Sequence, residues 1–358
     1  MSPAASGVIV APEIRDLEDL AQALGAWLKG KIAGAGDLVV TDLAYPRGAG
    51  QSHETILFTA SWGAKGSGGS LDAVVRIKPG GFTVFPDDLF DAQFAIMQAM
   101  HASGEVLVAE PLWIEHDASI LGKPFFVMRK AVGRVPVSIP PYAREGWVKD
   151  ATDAQRRILW ESGVRQLAAI QRVPLSAAPF LVGPAHASSG LAQEWDKYCR
   201  FVRWLKAEGA APGYIAVLER GLARLDGCRP ANQPEGIVWG DARLGNMMFG
   251  PDFRVVAVMD WEQPSLGGAL HDLAWFCEIA ATMHGPDAKH GAPLGGMGSR
   301  DETVALWQEV SGKSAAELDW YEDFAKLKMT CTAVRLGLLR AETPLMSEAQ
   351  VAVRLKVG

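Results

Sequence analysis

The sequence predicts an α+β protein with two lobes, a β-rich amino-terminal lobe and a mostly helical carboxyl-terminal lobe. Short β-prone apolar runs, separated by glycine-containing turns, dominate residues 1–128. Apolar residues instead recur at helical spacing through most of residues 129–358. With 358 residues, of which 49% are hydrophobic, the chain is long enough to bury a core in each lobe. We therefore expect one domain boundary, close to residue 128.

The first lobe is expected to combine an amino-terminal helix with an antiparallel sheet. An amphipathic helix is predicted over residues 16–32, where the apolar residues at helical spacing are Leu17, Leu20, Leu24, Trp27 and Leu28. The strands predicted from apolar runs between turn residues cover 38–43, 56–62, 71–78, 109–114 and 124–128. A second helix is predicted over residues 87–101. We expect the apolar face of the first helix to pack on the sheet.

The second lobe is predicted to be largely helical. Thr152 is a suitable N-cap for a helix that ends near Arg172. Further helices are predicted over residues 191–208, 216–226, 301–310 and 318–340, and another opens at Asp272. Asp272 is expected either to cap that helix or to brace a neighbouring loop. The glycine-rich residues 283–300 are expected to form a loop at the rim of an active site.

The segment that carries most functional information covers residues 237–275. Two β-prone pieces flank a Gly-Pro-Asp turn and together predict a β-hairpin over residues 247–259. Asp241 precedes this hairpin, with Asn246 five residues after it, and Asp260 follows the hairpin directly. Because a hairpin returns the chain close to its start, we expect Asp260 to face Asn246.

Phosphoryl transfer uses this set of polar groups. One carboxylate accepts the proton of the attacking hydroxyl group or orients that group, and an amide oxygen with a second carboxylate holds Mg²⁺ against the nucleotide phosphates. The Asp-x-x-x-x-Asn spacing, followed by a hairpin and an Asp, matches the catalytic and metal-binding loops of protein kinases. A β-rich lobe followed by a helical lobe is also the order of a protein-kinase-like fold. Aspartates at turns and strand ends are common, but three polar groups at this spacing favour the catalytic interpretation.

The sequence motifs G-D-x-R-x-G-N, D-W-E and D-L-A-W resemble those of the aminoglycoside phosphotransferase family of small-molecule kinases. The carboxyl-terminal part is similar to a branch with kinase-like domains related to those fused to acyl-CoA dehydrogenases. The resemblance implies Mg²⁺-dependent transfer of the γ-phosphoryl group of ATP or GTP to a substrate hydroxyl. It implies that Asp241 is the base or orienting group and that Asn246 and Asp260 hold the metal. Arg243 is expected either to contact the transferred phosphoryl group or to brace the loop.

The resemblance also implies a nucleotide site formed by a glycine-containing loop, a strand and the hinge between the lobes. The residues that it assigns to this site are Gly48, Gly50, Gln51, Ser52, Arg76, Lys78, Met128 and Lys130. The loop is expected to cover the phosphates with backbone N–H groups. Arg76 is expected to supply the cation that pairs with the phosphates, and Lys78, on the same face of the strand, is the competing candidate. Backbone groups near Met128 are expected to meet the adenine edge.

Two positions depart from the family pattern. Gln93 stands where the family has a glutamate that pairs with the strand cation, and an amide cannot neutralise Arg76. The family usually carries a histidine before the Gly-Asp pair, where this chain has Trp239. Trp239 can pack behind the loop and offers one N–H donor but no acceptor. These departures keep a catalytically degenerate binding module as an alternative. A metal-dependent hydrolase is less favoured, because no H-x-x-x-H or comparable spacing is present.

Charge composition bears on the acceptor. Between residues 181 and 235, six acidic residues stand against seven basic residues. A polycationic acceptor requires an acidic pocket, so this balance favours a neutral or anionic hydroxyl compound, such as a hydroxyacyl thioester. An aminoglycoside or antibiotic phosphotransferase remains the alternative that the family name suggests.

Composition also predicts the partners and the compartment. The net charge is −6 and no run of Lys and Arg is present, so nucleic acid is not an expected partner. No apolar run approaches the ~20 residues of a membrane span, and the amino terminus lacks a signal peptide pattern. The four cysteines include no C-x-x-C pair and are typical of buried free thiols in a reducing compartment. We expect a soluble cytoplasmic protein whose partners are a nucleotide and a small hydroxylated substrate, and no feature predicts an oligomeric state.

Overall fold

The computed structural model describes residues 15–46, 54–63, 68–78, 83–182, 190–284, 294–340, 342 and 345–358. The chain divides into two compact units, of which the first contains Met1–Thr83 and Ala109–Ala131. The second contains Val84–Val108 and Val132–Gly358. The first unit thus ends within a few residues of the boundary predicted near residue 128. The segment Val84–Val108, which the sequence-based division assigns to the first lobe, belongs to the second unit.

The first unit is built on one antiparallel sheet with the strand order β1-β2-β3-β5-β4. Its strands are β1 (Val39–Ala44), β2 (Glu54–Trp62), β3 (Gly69–Ile77), β4 (Pro111–Glu115) and β5 (Phe125–Arg129). A single helical turn, α3 (Ala118–Leu121), connects β4 to β5. Each strand that the apolar runs predict is therefore present, with its ends shifted by at most two residues.

Helix α1 (Leu17–Lys29) covers one face of this sheet. It begins where the Asp16 side chain accepts hydrogen bonds from the backbone N–H groups of Glu18 and Asp19, a standard N-cap. Its buried apolar residues form one core with the inward-facing residues of the strands, among them Leu20, Leu24, Leu28, Ile56, Phe58, Val75 and Val127. Burial alternates along β2, as expected for a strand with one covered face.

The second unit is mostly helical. Its helices are α2 (Phe90–Ser103), α4 (Trp147–Asp150), α5 (Asp153–Ile170), α6 (Leu191–Ala207), α7 (Pro212–Asp226), α8 (Leu270–His284), α9 (Arg300–Ser311), α10 (Leu318–Arg340) and α11 (Glu348–Arg354). Thr152 caps α5 in a capping box with Gln155, which confirms the predicted helix start. Helix α7 begins earlier than predicted, because Pro212 occupies its first turn, where a missing N–H costs nothing.

A short hairpin, β6 (Met247–Phe249) and β7 (Val255–Val258), interrupts the helices of the second unit. Among the described helices, none has the length and hydropathy that a transmembrane segment requires. All four cysteines are free. Cys277 and Cys331 are buried, but Cys228 is exposed, so the expectation that all four thiols are buried is wrong.

Candidate active site

The hairpin brings the chain after β7 back to the chain before β6. Met247 pairs with Val258, and the backbone N–H of Met259 donates to the carbonyl oxygen of Asn246 at 2.8 Å. Asp260 is the next residue, so the two predicted metal ligands flank the same end of the hairpin. Asp260 has a positive φ of 63°, a conformation that aspartate tolerates better than most residues.

The Asp241 carboxylate is held by three donors. The Asn246 amide Nδ2 donates to Oδ2 at 2.6 Å, and the Arg243 Nε donates to the same oxygen at 3.0 Å. The indole Nε1 of Trp275 donates to Oδ1 at 2.9 Å. The side chain of Asp241 is 26% exposed, so it is fixed in place and still reaches solvent. Because an ionised carboxylate has about four acceptor positions, it can also accept from a bound hydroxyl group.

Asp272 braces the backbone just before Asp241. Its carboxylate oxygens accept from the backbone N–H groups of Trp239, at 2.5 Å, and Gly240, at 2.9 Å. Burial raises the pKa of Asp272 to about 6, and these two hydrogen bonds oppose that rise. Gly240 has a φ of 105°, and a Cβ there would lie 2.6 Å from the Gln263 carbonyl oxygen, so the turn requires glycine. Of the two alternatives for Asp272, the structure supports the brace.

Trp239 replaces the expected histidine without leaving the loop unsupported. Its side chain is completely buried, and its indole Nε1 donates to the carbonyl oxygen of Met259 at 2.8 Å. Its ring also packs against Trp261, with the ring centroids 5.8 Å apart. Trp239 thus ties the segment before Asp241 to the segment that carries Asp260.

Asn246 and Asp260 offer oxygen donors, the ligand type that Mg²⁺ prefers. Because the Asn246 Nδ2 donates to both the backbone and the side chain of Asp241, its Oδ1 is the atom suited to a metal. Within the described part of the chain, no group of three His, Cys, Asp or Glu side chains is arranged to hold a metal ion. Asn246 and Asp260 would hold a magnesium ion through their side-chain oxygens.

Arg243, in the catalytic loop (residues 239–246), contacts the segment before α4. Besides Asp241, it contacts Ser138, whose Oγ is 2.8 Å from its Nη1. These contacts would brace the loop, and the choice between bracing and a phosphoryl contact for Arg243 stays a prediction. Ser138 and Trp275 are not among the site residues predicted from the sequence. Trp275 ends the D-L-A-W motif, which could have directed attention to it, whereas Ser138 carries no comparable signal.

Of the predicted nucleotide residues, four belong to the first unit, namely Arg76, Lys78, Met128 and Lys130. The other four, Gly48, Gly50, Gln51 and Ser52, lie outside the described residues. Arg76 is buried on β3 opposite Phe126, whereas Lys78 follows the end of the strand and is partly exposed. Lys78 donates its backbone N–H to the Pro124 carbonyl oxygen at 2.9 Å. Both side chains stay candidates for the phosphates.

The predicted hinge residues extend the sheet of the first unit. Met128 lies on β5 opposite Val74. The backbone N–H of Lys130 donates to the carbonyl oxygen of Asp72 at 2.9 Å. A contact from Lys130 to adenine would therefore use its carbonyl oxygen or side chain rather than its N–H.

Gln93 lies on α2 in the second unit, whereas Arg76 lies in the first. The Gln93 side chain is completely buried, and among the described residues neither its Oε1 nor its Nε2 has a hydrogen-bond partner. A buried amide without partners is costly, which makes this position unusual. Its predicted contact with Arg76 stays a prediction.

A cavity that opens to solvent lies beside residues 239–246, within the second unit. Its apolar wall contains Tyr142, Trp160, Leu244 and Phe276, and its polar residues include Glu278, His284, Ser299, Arg300 and Glu322. Residues 297–300 contribute to the lining, so this part of the predicted rim loop does border a cavity. Leu244 and Phe276 directly follow Arg243 and Trp275, which places the cavity next to the Asp241 environment.

A buried ion pair lies behind Trp275. Lys328 Nζ is 2.8 Å from Glu194 Oε2 and 5.9 Å from the Trp275 ring centroid. Although burial raises it, the pKa of Glu194 is held well below its usual range by Lys328 and by Lys197. Glu194 and Lys197 are two of the charges counted between residues 181 and 235, and both are buried. The charge count between residues 181 and 235 is therefore larger than the number of charged side chains that a bound acceptor can contact.

The comparisons with known proteins agree with this geometry. A model of the phosphotransferase enzyme family matches residues 46–312, more than half of the chain. The probable acyl-CoA dehydrogenase IBR3 of Arabidopsis thaliana is 25% identical over 298 residues, which are 76% of this chain and 33% of that protein. The chain thus spans about a third of that relative.

Solved structures share the fold. A putative aminoglycoside phosphotransferase from Ralstonia eutropha JMP134 is 22% identical, with a TM-score of 0.65 over 94% of this chain and 93% of the other. An aminoglycoside phosphotransferase solved with ADP and hygromycin B is 13% identical, with a TM-score of 0.55 over 94% and 99%. The predicted kinase-like α+β fold and the predicted resemblance are confirmed. The chain belongs to the phosphotransferase enzyme family, whose members are kinases that act on hydroxyl groups.

Proposed function

We propose that this phosphotransferase moves the γ-phosphoryl group of ATP or GTP to the hydroxyl group of a small, non-polycationic acceptor. The observation that carries the proposal is the Asp241 carboxylate. It is fixed by Asn246, Arg243 and Trp275 beside the hairpin that delivers Asp260. A carboxylate held this way can orient a hydroxyl group with little reorganisation during the reaction.

In the proposed reaction, the acceptor oxygen forms a bond to the γ-phosphorus while the bond from that phosphorus to the β,γ-bridging oxygen breaks. The hydroxyl proton passes to Asp241, and the nucleoside diphosphate leaves with the electron pair. Asn246 Oδ1 and the Asp260 carboxylate would hold Mg²⁺, which neutralises charge on the phosphates when it is bound. Arg76 and Lys78, with residues 48–52, are the candidates for the phosphates, and Met128 and Lys130 for the base.

We propose a hydroxyacyl thioester as the acceptor. The curated relatives are acyl-CoA dehydrogenase family proteins, which supports an acyl compound, although the chain spans only about a third or less of their length. The free cysteines support a reducing, cytoplasmic compartment. Hygromycin B is bound by a solved structure that is 13% identical, so that likeness extends to the fold alone.

A second candidate is a binding module that holds nucleotide without transfer. The observation that favours it is Gln93, which is buried without hydrogen-bond partners among the described residues. The intact set of Asp241, Asn246 and Asp260 favours the enzyme.

The first experiment measures thermal stability with ATP or GTP, with and without Mg²⁺. Wild type is expected to be stabilised only when nucleotide and metal are both present, and Asp260→Ala is expected to lose this response. Asp252→Ala is the matched control, because Asp252 lies in the same hairpin but at its exposed turn. If no nucleotide stabilises wild type, the proposal fails.

A second measurement separates the two candidates. Asp241→Asn is expected to retain the nucleotide-dependent stabilisation and to lose Mg²⁺-dependent nucleotide turnover. The binding module is supported if the wild-type protein binds nucleotide and metal but does not turn over the nucleotide, either alone or with hydroxylated acceptors.

A further inference from the structure

A buried network of three charged side chains, Glu194, Lys197 and Lys328, joins α6 to α10 in the second unit. Glu194 Oε2 is 2.8 Å from Lys328 Nζ, and Glu194 Oε1 is 3.7 Å from Lys197 Nζ. Because the transfer of charges out of water is costly, a well-packed apolar set of similar volume is often as stable as a buried ion network. Stability alone therefore does not account for this network.

The buried network holds a short segment that follows the hairpin. Lys197 Nζ donates to the Gln263 carbonyl oxygen at 3.2 Å, and the Ser265 hydroxyl group donates to Glu194 Oε1 at 2.6 Å. A Cβ at Gly267 would overlap Glu194 Cγ, so the backbone there packs directly on the glutamate side chain. The segment from Gln263 to Gly267 is therefore fixed on α6 at three successive points.

The same segment contacts the backbone that precedes Asp241. Val238 and Ser265 exchange two backbone hydrogen bonds, of 2.8 and 3.2 Å. A Cβ at Gly240 would lie 2.6 Å from the Gln263 carbonyl oxygen, which is the oxygen that accepts from the buried network. A shift of this carbonyl group would therefore move the backbone directly before the reacting carboxylate.

The other lysine of the buried network meets a second support of Asp241. Lys328 Nζ lies 5.9 Å from the centroid of the Trp275 ring, within the reach of a cation–π contact. The Trp275 indole donates to Asp241 Oδ1 at 2.9 Å. The network thus reaches Asp241 by two routes, one through the backbone before it and one through its indole donor.

We propose that the buried network of Glu194, Lys197 and Lys328 positions the reacting carboxylate. Its members are positioning residues, because they act through these two routes rather than by contact with the substrate. This inference rests on the proposed phosphoryl transfer and adds to it residues that lie outside the catalytic loop. A misplacement of about 1 Å at a reacting group can cost roughly 100-fold in rate, so loss of the network is expected to affect turnover more than nucleotide binding.

The test compares Lys197→Met and Ser265→Ala with wild type. Lys197→Met removes the donor to the Gln263 carbonyl oxygen and leaves Glu194 paired with Lys328. Ser265→Ala removes a hydroxyl group and keeps all three charges, so it remains informative if Lys197→Met does not fold. For Mg²⁺-dependent turnover of ATP or GTP, whichever stabilises wild type, kcat is expected to fall roughly tenfold in Lys197→Met and roughly threefold in Ser265→Ala, with KM unchanged.

The fraction of competent protein is measured by calorimetric titration with the matching nucleoside diphosphate and Mg²⁺, so that kcat refers to molecules that bind nucleotide. A purely structural role would lower this fraction and leave kcat per competent molecule at the wild-type value. Lys206→Met is the matched control, because Lys206 lies on the same helix as Lys197 but in an exposed pair with Glu219. Its kcat is expected to stay within about twofold of wild type.

Amide hydrogen exchange gives a readout that does not require turnover. Peptides that cover residues 236–242 and 263–268 are expected to exchange several-fold faster in Lys197→Met and Ser265→Ala, and at the wild-type rate in Lys206→Met. Faster exchange throughout the second unit would instead indicate general loosening and would overturn the proposal.

The positioning network and the phosphoryl transfer fail in distinguishable ways. If wild type turns over nucleotide and both variants match its kcat, the network is overturned and the phosphoryl transfer stands. If wild type binds nucleotide but does not turn it over, the phosphoryl transfer fails, and exchange decides the network. Unchanged exchange at residues 236–242 in both variants then overturns it, and locally faster exchange supports it.

Discussion

The indole Nε1 of Trp275 donates a hydrogen bond of 2.9 Å to Oδ1 of Asp241, which precedes it by 34 positions. Asn246 and Arg243 donate to the other carboxylate oxygen, so Trp275 is the donor that fixes the plane of the carboxylate from the opposite side. Because Trp275 lies on α8, the orientation of Asp241 depends on a helix that packs on α10 in the core of the second unit.

Trp275→Phe is expected to lower Mg²⁺-dependent nucleotide turnover roughly tenfold, because a hydrogen bond to a charged group is lost while the ring is largely retained. Stabilisation by nucleotide is expected to be unchanged. The matched control is Trp320→Phe, since the Trp320 indole donates to the Leu225 carbonyl oxygen at 3.1 Å, away from Asp241. If Trp275→Phe and Trp320→Phe lower turnover equally, Trp275 has only a structural role and does not position Asp241.

Gly245→Ala tests the contact between the catalytic loop and Ser138. A Cβ at this position would lie 2.7 Å from Ser138 Oγ and 2.9 Å from Arg243 Nη1, two atoms at the ends of side chains that can move. We therefore expect a small loss of stability, about 1 kcal/mol or less, but a several-fold loss of turnover. Gly36→Ala is the control, because a Cβ there meets no atom within 4 Å. Wild-type turnover in Gly245→Ala would mean that the position of Arg243 does not matter.

Lys328→Met is expected to lower the free energy of unfolding by about 3–5 kcal/mol, because it leaves the buried Glu194 carboxylate without its closest cation. The two side chains are 3% and 1% exposed. The double variant with Glu194→Gln is expected to be less destabilised than the two single effects added together. The free energy of unfolding of all three variants is measured by chemical denaturation.

The control for Lys328→Met is Lys206→Met, because the Lys206–Glu219 pair is 65% and 52% exposed. Exposed pairs contribute little, so its stability is expected to stay within about 0.5 kcal/mol of wild type. If Lys328→Met and Lys206→Met lower the free energy of unfolding by similar amounts, burial does not determine how much these ion pairs contribute to stability.

The sequence predicted local features well, for identifiable reasons. The position of Asp260 beside the partner of Asn246 follows from a hairpin with a clear turn, and the start of α5 follows from the capping chemistry of Thr152. Such features depend on residues close together in the chain. The five strands of the first unit were predicted on the same basis, from apolar runs between turn residues.

Contacts between distant residues were not predictable in this way. The Lys328–Glu194 pair joins residues 134 positions apart, and the hydrogen bond from Arg243 to Ser138 joins residues 105 positions apart. A lysine and a glutamate in isolation indicate solvated surface, so the charge count included Glu194 although it is buried. The packing of Trp239 against Trp261 likewise depends on two loops that only the fold brings together.

His271 provides a test of how burial in the second unit affects stability at acidic pH. Burial, assisted by repulsion from Lys328, lowers the pKa of His271 from 6.5 to about 3, although Glu194 opposes the shift. Between these two values the unfolded chain binds one proton more than the folded chain. The contribution of His271 to stability is therefore fully present above pH 6.5 and decreases by about 1.4 kcal/mol per pH unit as the pH falls towards 3.

His271→Phe is expected to remove this contribution to the acid sensitivity, because phenylalanine keeps a ring against Tyr321 and Phe324 but cannot be protonated. The measurement is the free energy of unfolding from pH 7 to pH 4.5, and the difference between variant and wild type isolates His271 from Asp272. That comparison matters because the raised pKa of Asp272, about 6, opposes the effect in part of the same range. The exposed His101→Phe is the control and is expected to follow the wild-type curve; if His271→Phe follows it too, His271 is not kept neutral by burial.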